Sequence, residues 1–168
     1  MSQTEHGLDL SYQVGPNEGV SRPGIELSTE FQWKALSGEA QCPHRQHVGD
    51  AGYDLYVSRK AIIDPGQFLD VHTDIAVRFP MGVWGRIVGR SSTLRRRNIL
   101  VAEGIIDNQY TGELFIGAYN ISNEQIIIEE GERIAQLIPC LLVNVKWNQV
   151  EDIGESERGS QGFGSTGE

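Results

Sequence analysis

From Asp50 onward the chain reads as short apolar runs separated by turn formers. Residues 53–57, Tyr-Asp-Leu-Tyr-Val, alternate with the period of a half-buried strand. Residues 61–63 add a β-branched run that stops at Asp64-Pro65-Gly66-Gln67. Further strands are expected over 68–72 and 75–79, over 83–88 after the break at Pro80-Met81-Gly82, and over 116–119, 125–128 and 134–145. Glu129-Glu130-Gly131-Glu132 supplies the turn before the last of these, and 93–98 suits one brief helix. Strands at this spacing, with no long amphipathic helix and no internal repeat, predict an all-β domain, a sandwich or a barrel.

Residues 101–114, VAEGIIDNQYTGEL, concentrate the candidate chemistry. Ile105 and Ile106 are β-branched, and an extended pattern resumes at 112–116. Between them Asp107-Asn108-Gln109-Tyr110-Thr111-Gly112 is dense in turn formers, so the expectation is a β-hairpin. Asp107 suits a group that polarises a water, and Tyr110 a surface for the flat face of a sugar or base. The same residues also serve an ordinary surface turn.

Composition then narrows the setting. A length of 168 residues suffices for one domain with a proper core. No apolar run approaches the roughly 18 residues of a membrane span. The first ten residues, MSQTEHGLDL, lack the basic start and apolar stretch of a signal peptide. Cys42 and Cys140 are the only cysteines, which points to a reducing, intracellular setting: cytoplasm, nucleus, or a viral product inside its host. A net charge of −9 disfavours binding to a nucleic-acid backbone. An anionic ligand must then be held locally, for which Arg90, the Arg95-Arg96-Arg97 run and Arg158 are candidates, although a triple-arginine run also serves as a solvated face. Cys42-Pro43-His44-Arg45-Gln46-His47 offers three metal-binding side chains with no second cluster to complete four ligands, and reads as a surface loop.

Three regions follow. Residues 1–28, broken by Gly15-Pro16-Asn17-Glu18-Gly19 and Arg22-Pro23-Gly24, read as a partly disordered extension, with a short strand at 24–27. Residues 29–153 form the β domain. Residues 154–168 are a glycine-rich tail in which free backbone N–H groups, the hydroxyls of Ser165 and Thr166 and the Arg158 fork suit phosphate, and Phe163 suits stacking on a base. A glycine-rich end is also an ordinary frayed terminus.

Five stretches, in this order, resemble the trimeric dUTPase family: Ala51-Gly52-Tyr53-Asp54-Leu55-Tyr56, Gly89-Arg90-Ser91-Ser92, residues 104–112, Gly131-Glu132-Arg133-Ile134-Ala135-Gln136-Leu137, and the tail from Arg158 to Gly167. The resemblance implies a jelly-roll-like β-barrel, a homotrimer with active sites shared between subunits, and Mg²⁺-assisted hydrolysis of dUTP to dUMP and pyrophosphate, with the metal held mainly by the triphosphate and water. By this likeness Asp107 is the base that activates water, and Tyr110 packs under the deoxyribose. Backbone from Val101 through Gly104 to Ile106 reads uracil. Arg90, Ser91, Ser92 and Gln136 hold phosphates from a neighbouring subunit. Arg158 grips the γ-phosphate, Phe163 caps the base, and Gly164, Ser165 and Thr166 assist. Asp54 is expected to orient an arginine or the catalytic water.

Departures from the family pattern are Ser92 and Gln161, where Gly is usual, and Glu103, where a small or neutral residue is usual. Glu103 either faces the base, which would admit cytosine, or turns away to pair with an arginine of the 95–97 run. Two other functions share the scaffold. A dCTP deaminase carries a glutamate on the strand after the 107–112 turn, a position held here by Gly117. A regulator that binds a protein partner is the second, with the N-terminal extension the place to look for that role.

Overall fold

The computed structural model describes residues 30–156 and 159. One four-stranded antiparallel sheet runs β1 (Gln32–Ala35), β4 (Phe68–Arg78), β8 (Glu113–Asn120), β6 (Ile99–Val101). The other runs β2 (Tyr53–Tyr56), β10 (Arg133–Leu141), β5 (Val83–Gly89), β7 (Gly104–Ile106). A separate ladder pairs β3 (Ala61–Ile63) with β9 (Ile126–Ile128). Neighbours within each sheet are far apart in sequence, as in a jelly-roll-like β-barrel.

Side-chain alternation builds the core. In β8, Leu114, Ile116 and Ala118 point inward and are fully buried, while Phe115 and Tyr119 face out. They meet Leu55, Ile75, Ile87, Ile99 and Ile134 from the other strands of both sheets, and Ile63 and Ile128 from the ladder, in one apolar cluster. Each such side chain contributes about 1.5–3 kcal/mol when removed from water.

No strand was expected at β1 or β6; the expected strands are present, with four further differences. The expected strands at 68–72 and 75–79 are one strand, β4, with a shift in register between His72 and Ala76. The two extra residues are absorbed around Asp74, whose φ of 52° is left-handed, a conformation aspartate tolerates better than most residues. The last strand ends at Leu141 rather than 145, because its partner β5 begins at Val83, opposite Leu141. The helix, α1 (Ser91–Arg97), starts two residues earlier than expected. Thr93 Oγ1 donates to the Ile134 carbonyl at 2.7 Å, tying the first turn to β10. Asn98 in the left-handed region ends the helix, with its N–H on Leu94 O.

The fourth difference concerns the expected hairpin. β7 pairs with β5, whereas β8 pairs with β4 and β6, so the 107–112 turn joins two sheets instead of two neighbouring strands. Val101 is the last residue of β6 on β8, and Gly104 the first of β7 on β5. The chain changes sheets within the intervening two residues.

Candidate active site

At one end of β5 the chain gathers arginines. Arg90 ends the strand in extended conformation and turns its Nε to Asp54 Oδ1 at 2.7 Å. Arg133, at the start of β10, takes Asp54 Oδ2 at 3.1 Å, and its carbonyl accepts from Arg90 Nη1 at 3.1 Å. Asp54 itself is buried on β2. One carboxylate thus fixes two guanidiniums, a contact that brings together residues 79 apart in sequence. Gln136 lies opposite Asp54 and Val88 and donates to the Gly89 carbonyl at 3.3 Å. A Cβ on Gly52 would collide with the Gln136 amide, so glycine in the first motif leaves that side chain its present position.

Beside this cluster lies a groove of about 370 Å³, lined among others by Arg90, Ser92, Arg96, Arg97 and Arg133. Arg97 is bound to Glu132 by two contacts of 3.0 Å and to the Ile127 carbonyl at 2.8 Å, so the third arginine of the run is structural instead of a solvated face. Four guanidiniums face the two carboxylates of Asp54 and Glu132, a local positive excess in a chain of net charge −9. Ser91 is exposed at the start of α1. The groove is suited to a multiply charged anion.

At the opposite end of β5 stands the carboxylate loop. Tyr110 N–H bonds to Asp107 O at 3.0 Å, closing a tight turn. Asn108 Nδ2 donates to Pro80 O at 2.7 Å and to Val83 O at 2.6 Å, which clamps the loop to the β4–β5 turn. Tyr110 folds back so that its hydroxyl donates to Glu113 O at 2.9 Å, and a Cβ on Gly112 would strike that ring. The Asp107 carboxylate is exposed and takes no hydrogen bond from another described residue. A fixed backbone presenting a free carboxylate is an arrangement that can hold and deprotonate a water.

The two ends do not meet within one chain. Ile106 sits opposite Gly85, which puts Asp107 near Trp84, six residues before Arg90. That is roughly 20 Å along the strand. Val101, Gly104 and Ile106 run between them along the two sheet edges. Arg158, Phe163, Gly164, Ser165 and Thr166, together with residues 1–28, lie outside the described residues.

Glu103 turns neither toward a base site nor toward the 95–97 run. Its Oε1 lies 2.7 Å from Arg86 Nε and its Oε2 3.0 Å from Arg86 Nη2, a two-point fork on the outer face of β5. The hydrogen bonds and charge of Glu103 push the Arg86 guanidinium above its usual pKa.

His72, Asp74 and Glu113 bring three ligand-type atoms within 4.8 Å of one another. Arg59 occupies Asp74 Oδ1, and Glu113 Oε1 takes both His72 Nδ1 at 3.0 Å and the Asp74 N–H at 3.1 Å, so these three side chains already form a bonded network with Arg59. Burial raises the Asp74 carboxyl, but the neighbouring Ser37, Arg59 and Ser58 side chains and the Arg59 charge outweigh it and hold it below the usual range. The Cys42–His47 loop contributes no member to a metal-type cluster among the described residues. Arg133, Asn108 and Glu113 were not foreseen as site residues. Arg133 was visible in the fourth motif; the other two act through contacts no local pattern announces.

Fold and site define a β-barrel protein with an arginine-lined groove suited to a multiply charged anion and a carboxylate, unpaired among the described residues, on a hydrogen-bonded turn. Residues 38–167 match the dUTPase family model. Curated relatives named deoxyuridine 5'-triphosphate nucleotidohydrolase include one from Corynebacterium glutamicum, 39% identical over 135 residues, covering 79% of this chain and 91% of the relative. The mitochondrial form from Homo sapiens is 35% identical over 147 residues, covering 88% of this chain, which spans 58% of that relative's length. Among solved structures, the Staphylococcus bacteriophage 80alpha dUTPase with dUPNHPP superposes with a TM-score of 0.78 at 31% identity, covering 82% of this chain and 98% of that one. The chain belongs to the dUTPase family.

Proposed function

We propose that this chain hydrolyses dUTP to dUMP and pyrophosphate, which limits uracil in DNA and supplies dUMP. The observation that carries the reading is the Asp107 carboxylate, unpaired among the described residues, on a turn pinned by Asn108 and Tyr110. Asp107 accepts a proton from a water whose oxygen bonds to the α-phosphorus as the bond to the β-phosphate oxygen breaks and pyrophosphate departs. Tyr110 packs under the deoxyribose, backbone from Val101 to Ile106 reads the uracil, and Arg90, Ser91, Ser92 and Gln136 hold the phosphates. Asp54 keeps Arg90 oriented. Arg158, Phe163, Gly164, Ser165 and Thr166 complete the site as a closing tail.

Mg²⁺ fits the donor set: Asp107 offers free carboxylate oxygens of the kind this hard cation selects, through water, while the triphosphate supplies the rest. When bound it neutralises charge on the phosphates. The phage phi11 dUTPase is described as coordinating a structural Mg(II) ion.

A trimer with shared sites is supported by the separation of Asp107 from Arg90 along β5. It is also supported by residues 142–153, where Trp147 and Ile153 are each 95% exposed beside Val143 and Val145. Apolar side chains so exposed call for cover by another surface. An intracellular setting agrees with the two free cysteines. Phage dUTPases such as that of 80alpha are described as controlling transfer of virulence genes; a regulatory partner of this chain would be sought at residues 1–28.

The deaminase reading is disfavoured at Gly117, the position of its glutamate, where an added Cβ would press on the Phe68 ring at 3.0 Å and on Ala102 at 3.3 Å. Pyrophosphate and ammonia release measured across dUTP, dCTP, dTTP and UTP tests the proposal. Pyrophosphate from dUTP alone is expected; ammonia from dCTP, or no turnover of dUTP, would overturn it.

A further inference from the structure

β6 and β7 are each the last strand of their sheet, and they follow one another in the chain. β6 is held by β8, and Ala102 N–H still bonds to Gly117 O at 2.8 Å. β7 is held by β5, beginning with Gly104 opposite Ile87. Glu103 is therefore the single residue at which the chain releases one sheet and takes the other. Two strand edges diverge from it, carrying main-chain N–H and C=O groups outside the sheet ladders. A β7 of three residues has little pairing of its own to fix where it starts.

The side chain of Glu103 supplies what the short strand lacks. Arg86 is opposite Ile105 in the ladder, so its fork to Glu103 is a diagonal cross-strand contact that ties the crossover to β5. Both side chains are about half exposed, 45% and 49%, so the pair adds little to global stability. Its two-point geometry instead restrains direction. We infer that the Arg86–Glu103 pair is a brace that sets the opening between the diverging β6 and β7 edges, and so positions the backbone that reads the base. This rests on the proposed dUTP site and adds a positioning pair to it: Glu103 acts on specificity through Arg86, not by touching the pyrimidine.

The test compares Arg86→Ala, Glu103→Gln and the charge-swapped double variant Arg86→Glu/Glu103→Arg with the full-length protein. For dUTP, each single change should raise KM about threefold to tenfold while kcat stays within about twofold. The swap should recover most of the loss. Amide exchange over residues 102–106 should quicken in the single variants and slow again in the swap, with the melting temperature unchanged throughout. Unchanged KM and unchanged local exchange in an active enzyme, or a defect the swap fails to recover, would overturn the brace alone. A wild-type protein that releases no pyrophosphate from dUTP would overturn the site reading and the brace with it.

Discussion

Asp54 is a buried acid between two guanidiniums, and its carboxylate cannot be replaced by an amide without unpairing at least one of them. Removing a charged hydrogen-bond partner from such a place costs about 1–3 kcal/mol. Asp54→Asn should therefore lower the melting temperature and raise KM for dUTP by about tenfold, since a 1.4 kcal/mol loss of phosphate binding is a factor of ten. Steady-state kinetics and a thermal melt on the same preparation check this; an unchanged KM would mean that Arg90 keeps its position without Asp54. Asp54 was legible as the orienting partner of an arginine or of a water because it lies in an alternating strand, and the arginine is what the structure shows. It did not reveal Arg133 as the second cation, because that contact depends on the β2–β10 register. The same limit hid Asn108, whose clamp on Pro80 and Val83 spans residues 28 and 25 positions away. Glu103 was legible only as a choice, and the arginine it takes, Arg86, lies on a strand the choice did not include.

At the scale of elements, periodicity reports which face of a strand is buried but says nothing about which edge finds a partner. That is why the strand over 116–119 was expected and is present within β8, while β7 was assigned to the wrong neighbour. The β4 bulge shows the complementary case. Its break in the pattern read as a gap between strands, whereas the ion pairs around Asp74 carry the chain through it. Those contacts lower the Asp74 pKa in the folded state below the unfolded value of about 4. Their stabilisation is complete above about pH 4 and is lost as pH falls through the lower folded pKa. Asp74→Asn keeps the left-handed backbone accessible but removes this charge. Denaturation curves should show the variant less stable than wild type by a constant amount near neutrality, with the difference shrinking below about pH 4. A difference independent of pH would place the role of Asp74 in its backbone alone.

At the scale of the molecule, an acidic chain concentrates its arginines at one end of β5 and its free carboxylate at the other. Sites assembled from two chains reconcile this separation. Mixing Arg90→Ala subunits with Asp107→Asn subunits should then restore part of the activity, because some hybrid sites carry both intact residues. The readout is pyrophosphate release after subunit exchange has been confirmed by mass, and no recovery would count against a shared site. The tail reads as a phosphate-binding motif, but it lies outside the described residues, so that reading rests on the resemblance and on the family match over residues 38–167. The account depends most on Asp107 acting as the base. Turnover and dUTP affinity measured together for Asp107→Asn address it most directly. The amide preserves shape and the turn, so affinity should stay within a few-fold of wild type while kcat falls by at least ~10²-fold. Turnover within a few-fold of wild type would contradict the account.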